Sequence, residues 1–167
     1  MQFRIGQIAI HPFHGPGDIV DVVTRTVRGK EIDYLKLVIR GGNLVIGIPV
    51  DKAAEIGLRN VADQDQIDAL FATLQAKTAP EEVSWSRRFK ANQERLATGE
   101  PLIVATVVRD LTRRSHTVGL SMGERDMLRD ARGPIVAELA LALGICEDDA
   151  SETLDAHILS EQVAQSA

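Results

Sequence analysis

In Leu44-Val45-Ile46-Gly47-Ile48-Pro49-Val50-Asp51-Lys52-Ala53-Ala54-Glu55-Ile56-Gly57 the chain changes from strand chemistry to helix chemistry. As far as Ile48 it is leucine and β-branched residues around one glycine, the composition of a strand. Pro49 ends that strand because it has no N–H to give to a ladder. Asp51 can then cap a short helix, which Gly57 stops. Extended structure therefore lies behind residue 50 and helical structure ahead of it.

The residues before this switch read as β structure. Phe3-Arg4-Ile5-Gly6-Gln7-Ile8-Ala9-Ile10 alternates for part of its length. Gly15-Pro16-Gly17 carries turn chemistry, and Ile19 to Thr26 is β-branched almost throughout. Arg28-Gly29-Lys30 offers a hairpin turn into Ile32 to Ile39, and Gly41-Gly42-Asn43 offers another. Four or five short strands with tight turns predict a small twisted sheet or barrel.

Beyond the switch the apolar period becomes helical. Asp63 and Gln66 form a capping box, followed by Ile67, Leu70, Phe71 and Leu74 at helical spacing. A connector through Pro80 leads to a helix from about Ser84 to Thr98, stopped at Gly99. Pro101 opens the next, with Ile103, Val104, Val107, Val108 and Leu111 as its stripe and Arg109, Arg113 and Arg114 largely off it. Ser121 and Glu124 make a second capping box for a helix that Gly133-Pro134 is expected to kink or split. A last helix runs from about Asp149 to Val163, and no internal repeat is visible. The expected fold is α+β in two modules. A small all-β SH3/Tudor-like barrel or twisted sheet spans 1–52, a short helix and connector 53–62, and an all-α helical bundle 63–163.

Composition narrows the function. The chain has 167 residues, 44% apolar and 26% charged, as in a globular protein. No run of 18 apolar residues occurs, so no membrane partner is expected, and the N-terminus lacks a secretion signal. A cytoplasmic protein is the expectation. One cysteine, Cys146, excludes an internal disulfide and is expected to be a buried structural thiol. His11 and His14 form a pair without a third ligand, so they read as turn residues, and no metal or cofactor is expected. No phosphate loop, nucleophile elbow or paired-carboxylate arrangement is present, and an enzyme is not expected.

The net charge of −5 argues against generic nucleic-acid binding, but charge is unevenly placed. Trp85 to Arg114 holds seven cations against three anions, and no Lys or Arg occurs from Gly133 onward. Within the basic stretch lies Trp85-Ser86-Arg87-Arg88-Phe89-Lys90, with the one tryptophan at the expected start of a helix. Trp85 is in phase with Phe89, Asn92 and Leu96, which would bury it. Its place in the first turn would instead let it project past the core. Arg87, Arg88 and Lys90 are off that phase and could reach phosphates. The residues alone leave Trp85 open between core anchor and DNA wedge.

Taken end to end, the chain resembles the CarD/CdnL family of bacterial transcription regulators. The likeness is carried by Phe3-Arg4-Ile5-Gly6, His11-Pro12 with His14-Gly15, Thr24-Arg25-Thr26 with Tyr34-Leu35, and Ile48-Pro49. Its strongest parts are Trp85 to Asn92, Val107-Val108-Arg109-Asp110-Leu111, and Gly119-Leu120-Ser121 leading to Glu124 and Leu128. The β module also resembles the polymerase-binding domain of transcription-repair coupling factors, which lack the helical half.

The resemblance implies a non-enzymatic, monomeric, nucleoid-associated regulator. Its β module would bind the RNA polymerase β subunit, and its helices the minor groove of promoter DNA, largely independently of sequence. Trp85 would wedge into the upstream edge of the transcription bubble and stabilise the open complex. Arg87, Arg88 and Lys90 would contact the DNA backbone, with Arg125 a further phosphate contact. Arg25, beside Thr26, would face polymerase, and the strand edge carrying Leu44, Ile46 and Ile48 would extend the polymerase sheet. Two positions depart from the family pattern. Gly47 stands where many relatives have a basic residue, and Gly133-Pro134 falls in a helix that is commonly continuous. The alternative is a polymerase-binding adaptor with Trp85 buried and no direct DNA role.

Overall fold

A computed structural model describes residues 3–80 and 82–164, the last four by backbone alone. The chain divides into two compact units, Met1–Val61 and Ala62–Ala167.

The first unit is a four-stranded antiparallel meander: β1 (Ile8–His11), β2 (Gly15–Val27), β3 (Lys30–Ile39) and β4 (Val45–Pro49), in that spatial order. Arg28 and Gly29 join β2 to β3 with φ of 51° and 77°. Positive φ at both central residues is what a tight hairpin turn needs to match strand twist. Gly15-Pro16-Gly17, expected as a turn, is instead the start of β2, and the turn is Pro12–His14. Cross-strand packing explains the glycine: a Cβ on Gly17 would lie 2.8 Å from Leu37 Cγ.

Register sets the shape of this unit. Ile19 pairs with Leu37 and Asp21 with Lys36, so Val20 is an extra residue that bulges β2. Around the bulge, Ile19, Leu35, Leu37 and Ile48 close the core. On the far side β2 is exposed throughout, so the hairpin from Asp21 to Tyr34 stands out as an arm. After Pro49 a 3₁₀ turn, Val50–Lys52, leads into α1 (Ala53–Ile56), and Gly57 at φ 90° ends it. Residues 53–58, part of the expected short helix and connector, pack with the sheet, because Ala53 and Leu58 are buried in its core. Arg59 then pairs with Ile10, so the returning chain covers the β1 edge. The sheet is a curled half-barrel, and β4 is the edge with no strand beyond it among the described residues.

The second unit is helical: α2 (Gln64–Gln75), α3 (Trp85–Ala97), α4 (Pro101–Thr117), α5 (Met122–Leu143) and α6 (Glu147–Ala164). Both expected capping boxes form, at Asp63/Gln66 and Ser121/Glu124. Ile67, Leu74, Ala105, Val108, Leu139, Leu154 and Ile158 fill one core, while Val107, Leu111 and Met127 hold α3 through Phe89 and Leu96. Helix α5 runs through Gly133-Pro134 as one element, without the split that was one of the two expected outcomes. Proline forfeits one backbone bond. Packing of Ala131, Ile135 and Val136 on either side, and bonds from Arg132 to Asp155 and Ser151 on α6, hold the helix through it. Cys146, expected buried, is exposed, and its Sγ accepts Asp149 N–H at the start of α6. Among the described residues no helix is long and apolar enough to cross a membrane.

Candidate nucleic-acid interface

Helix α3 begins at Trp85, directly after the N-cap Ser84. Periodicity holds for the later turns, where Asn92 is buried and Phe89 and Leu96 are partly buried. Trp85 itself is 50% exposed. Its ring stacks on Phe89 with centroids 5.4 Å apart, and its Nε1–H donates to Ser121 Oγ at 3.0 Å. The first turn of α5 reaches this position because Gly123 lies flat on Phe89, where a Cβ would be 3.1 Å from Phe89 Cε2. With the N–H tied down, the rest of the indole is carbon. The neighbouring chain positions Val83 and Met122 are 97% and 74% exposed, so apolar surface gathers at this corner.

Cations divide into two sets. Arg87 and Lys90 are exposed on the side of α3 turned away from Phe89. Arg87 has no acidic partner among the described residues, and Lys90 has only a long, solvated 3.9 Å contact with Glu94. Arg125 is exposed one turn after Ser121 on α5. The α3 N-terminus has no side-chain cap and no acidic residue in its first turn, so its free N–H groups add positive potential there.

The other cations are internal, which corrects the sequence reading. Arg88, expected with Arg87 and Lys90 on the open face, is buried. Its Nε–H donates to Glu124 Oε1 at 2.9 Å and its Nη1–H to the Glu82 carbonyl. Arg109 and Arg113, expected off the apolar stripe, are buried too. Arg113 donates to the carbonyls of Leu74, Ala76 and Ile158, and Arg109 to that of Thr73. These guanidiniums satisfy the orphan carbonyls that end α2, where the helix dipole also favours positive charge. Arg95 binds Asn92, Thr106 and Asp110, stitching α3 to α4.

Glu124 is the acidic counterpart at the Trp85 corner and is 1% exposed. Burial alone would raise its carboxyl pKa. Hydrogen bonds from Ser121 N–H, the Ser121 hydroxyl and Arg88, with the Arg88 charge, outweigh that and hold it below the ordinary range. It is therefore a carboxylate at neutral pH.

In the β unit, Arg25 and Thr26 are exposed on the β2 arm, and the Arg25 guanidinium lies 5.5 Å from the Tyr34 ring centroid. Thr24 Oγ1–H donates to Asp33 across the hairpin. Leu44 is exposed just before β4, Ile46 is partly buried, and Ile48 is buried at 1%. The Ile48 side chain thus belongs to the core, since its place opposite Leu35 faces it inward. Ile39 N–H donates to Leu44 C=O, and bonding alternates along an antiparallel pair. Val45 and Gly47 therefore turn their backbone groups outward, towards the open edge.

His11 is buried against His14 with ring centroids 4.7 Å apart, and its Nδ1 accepts Phe13 N–H. Burial, helped by His14, lowers its pKa to about 4, so it is neutral and a structural part of the turn.

Comparison with known families fits this two-unit layout. The model of the CarD C-terminal domain matches residues 69–155, and that of the CarD-like/TRCF RID domain matches residues 3–62. The chain belongs to the CarD-like family. A relative in Bacillus subtilis (strain 168), YdeB, whose name provisionally calls it a transcription factor, is 28% identical over 145 residues, covering 87% of this chain and 95% of its own.

For this CarD-like chain, sequence reasoning named Trp85, Arg87, Lys90 and Arg125, and the structure leaves all four at the surface. It missed that Ser121 holds the indole and that Glu124 and Arg88 stand behind Ser121. The capping box was visible at 121–124. Its contact with a residue 36 positions earlier was not, because no local pattern encodes it.

Proposed function

We propose that this CarD-like protein regulates transcription without catalysis, by bridging the RNA polymerase β subunit and the upstream fork of the promoter bubble. The β unit docks on polymerase through the β4 edge and the β2 arm carrying Arg25 and Thr26. Trp85 enters the minor groove and opposes reannealing of the melted strands, prolonging the open complex. Arg87 and Lys90 on one side, and Arg125 on the other, contact phosphates. Arg88 is reassigned from phosphate contact to internal support of this corner.

The observation that carries the reading is the half-exposed Trp85 at the tip of α3, in a helix whose later in-phase residues are covered. A large aromatic left open at the surface marks a binding surface more than a core. Its offered surface is carbon, so it gains contact where base pairs are already unstacked and reads little sequence. A Trp85 side chain that is 50% exposed supports this reading over an adaptor with that residue buried. The test is binding to a fork-junction DNA and to a fully paired duplex of the same sequence. The protein should prefer the fork, and Trp85→Ala should lose the preference while keeping salt-dependent duplex binding. Equal preference in wild type and Trp85→Ala would refute the wedge.

A further inference from the structure

The Ser121 hydroxyl is fully used. It has one proton and two lone pairs. Glu124 Oε2 lies 2.8 Å away and, as a carboxylate, can only accept, so the proton points there. The lone pairs receive Glu124 N–H at 3.2 Å and Trp85 Nε1–H at 3.0 Å. Glu124 is itself fixed by Ser121 N–H at 3.0 Å on Oε2 and by Arg88 Nε–H at 2.9 Å on Oε1. Nothing in this set can reverse direction without breaking a bond. A buried ion pair therefore ends, through one hydroxyl, on the edge of an exposed aromatic ring.

We infer that Ser121 is a positioning residue for Trp85: its hydroxyl, aimed by Glu124 and Arg88, holds the indole plane in its working orientation before DNA arrives. The inference rests on the wedge reading and deepens it. A tryptophan on a free first turn would sample several rotamers and lose that freedom on binding, at a cost in affinity. Here the ordering is built into the folded protein. The same bond occupies the indole N–H, so the wedge presents no donor to the minor-groove acceptors that distinguish base pairs. Sequence tolerance follows from the hydrogen bonding as well as from ring shape.

Trp85 is the one tryptophan in the chain, so its fluorescence reports this ring alone. The informative variant is Ser121→Gly, because glycine caps a helix almost as well as serine while deleting the hydroxyl. Ser121→Thr keeps the hydroxyl and serves as the rescue. Each is made in the full chain, with Trp85 present and with Trp85→Phe, whose ring has no N–H. In free protein, Ser121→Gly should speed the local depolarisation of Trp85 fluorescence while the helical circular dichroism is unchanged. Affinity for labelled fork-junction DNA should fall about fivefold, the scale of one net hydrogen bond. Ser121→Thr should restore both readouts, and in the Trp85→Phe background the Ser121→Gly step should cost less than about twofold. An equal cost in both backgrounds, or unchanged indole mobility, would overturn the inference, because the effect would then pass through the α5 cap. Those results leave the wedge standing as long as Trp85→Ala still abolishes fork preference. Unchanged binding by Trp85→Ala would instead bring down the wedge, and the inference with it.

Discussion

Replacing Arg88 by methionine separates its two roles, phosphate contact and internal support. The substitution keeps the length of the side chain and deletes the charge. In the folded protein the Arg88 and Glu124 side chains are 10% and 2% exposed and 2.9 Å apart. Removing one partner of such a buried pair leaves an uncompensated charge, at a typical cost of about 3–5 kcal/mol. Glu124 would still receive two bonds from Ser121, and Arg114 Nε stands 4.0 Å away, so the low end applies. A loss of about 3 kcal/mol in a helical unit near 100 residues lowers its melting temperature by about 12 °C. Thermal unfolding followed by far-UV circular dichroism reads this directly, because the helices carry the signal. Arg87→Met, on the solvent face, should change stability by less than about 0.5 kcal/mol. Adding Glu124→Gln to Arg88→Met should recover about 1 kcal/mol by removing the stranded charge. If Arg88→Met is as stable as wild type, the buried-pair reasoning fails and Arg88 returns to the open face with Arg87.

Val45→Pro removes an outward N–H from the β4 edge without touching the ladder to β3, so the fold should survive and co-purification with the polymerase β subunit should be lost. Retained co-purification would sink the edge-pairing assignment. Lys90→Ala gives up only a weak solvated pair, so it should leave stability unchanged and reduce the salt slope of DNA binding by about one unit; an unchanged slope would remove Lys90 from the phosphate contacts. The His11 imidazole should titrate at about 4 in an NMR pH series. Its folded value lies below the ordinary 6.5, so the unfolded chain takes the proton first. The contribution is intact above pH 6.5 and is lost as pH falls towards 4. A midpoint near 6.5 would show that the turn does not bury the ring.

The β-to-α switch at Pro49 and both capping boxes were legible because short-range chemistry decides them: a missing N–H, and a hydroxyl or carboxylate three residues from its partner. The position of Trp85 on α3 was legible for the same reason, although its exposure was not. Hydrophobic periodicity says which apolar residues share a face and is silent on buried cations. Arg113 is buried because three carbonyls, two ending α2 and one on α6, converge on its guanidinium, and only the assembled helices bring them together. The same holds for Arg88 opposite Glu124. Gly15-Pro16-Gly17 looks like a turn in isolation and is strand because it pairs with Ala9 to His11 on β1, while Leu37 across the sheet accounts for the glycine at 17. Pro134 stays inside α5 because packing and the Arg132 bonds to α6 outweigh one lost backbone bond. Of the basic stretch, the charges were legible in the sequence, and only the fold showed which of them stay at the surface.

Whether Trp85 holds the bubble open is read from the lifetime of the promoter open complex, measured with purified RNA polymerase after addition of a DNA competitor. Wild-type protein should lengthen it, Trp85→Phe should retain part of the gain as a smaller apolar plate, and Trp85→Ala should return it to the value without the protein. A full gain in lifetime with correctly folded Trp85→Ala protein would show that Trp85 is not the wedge.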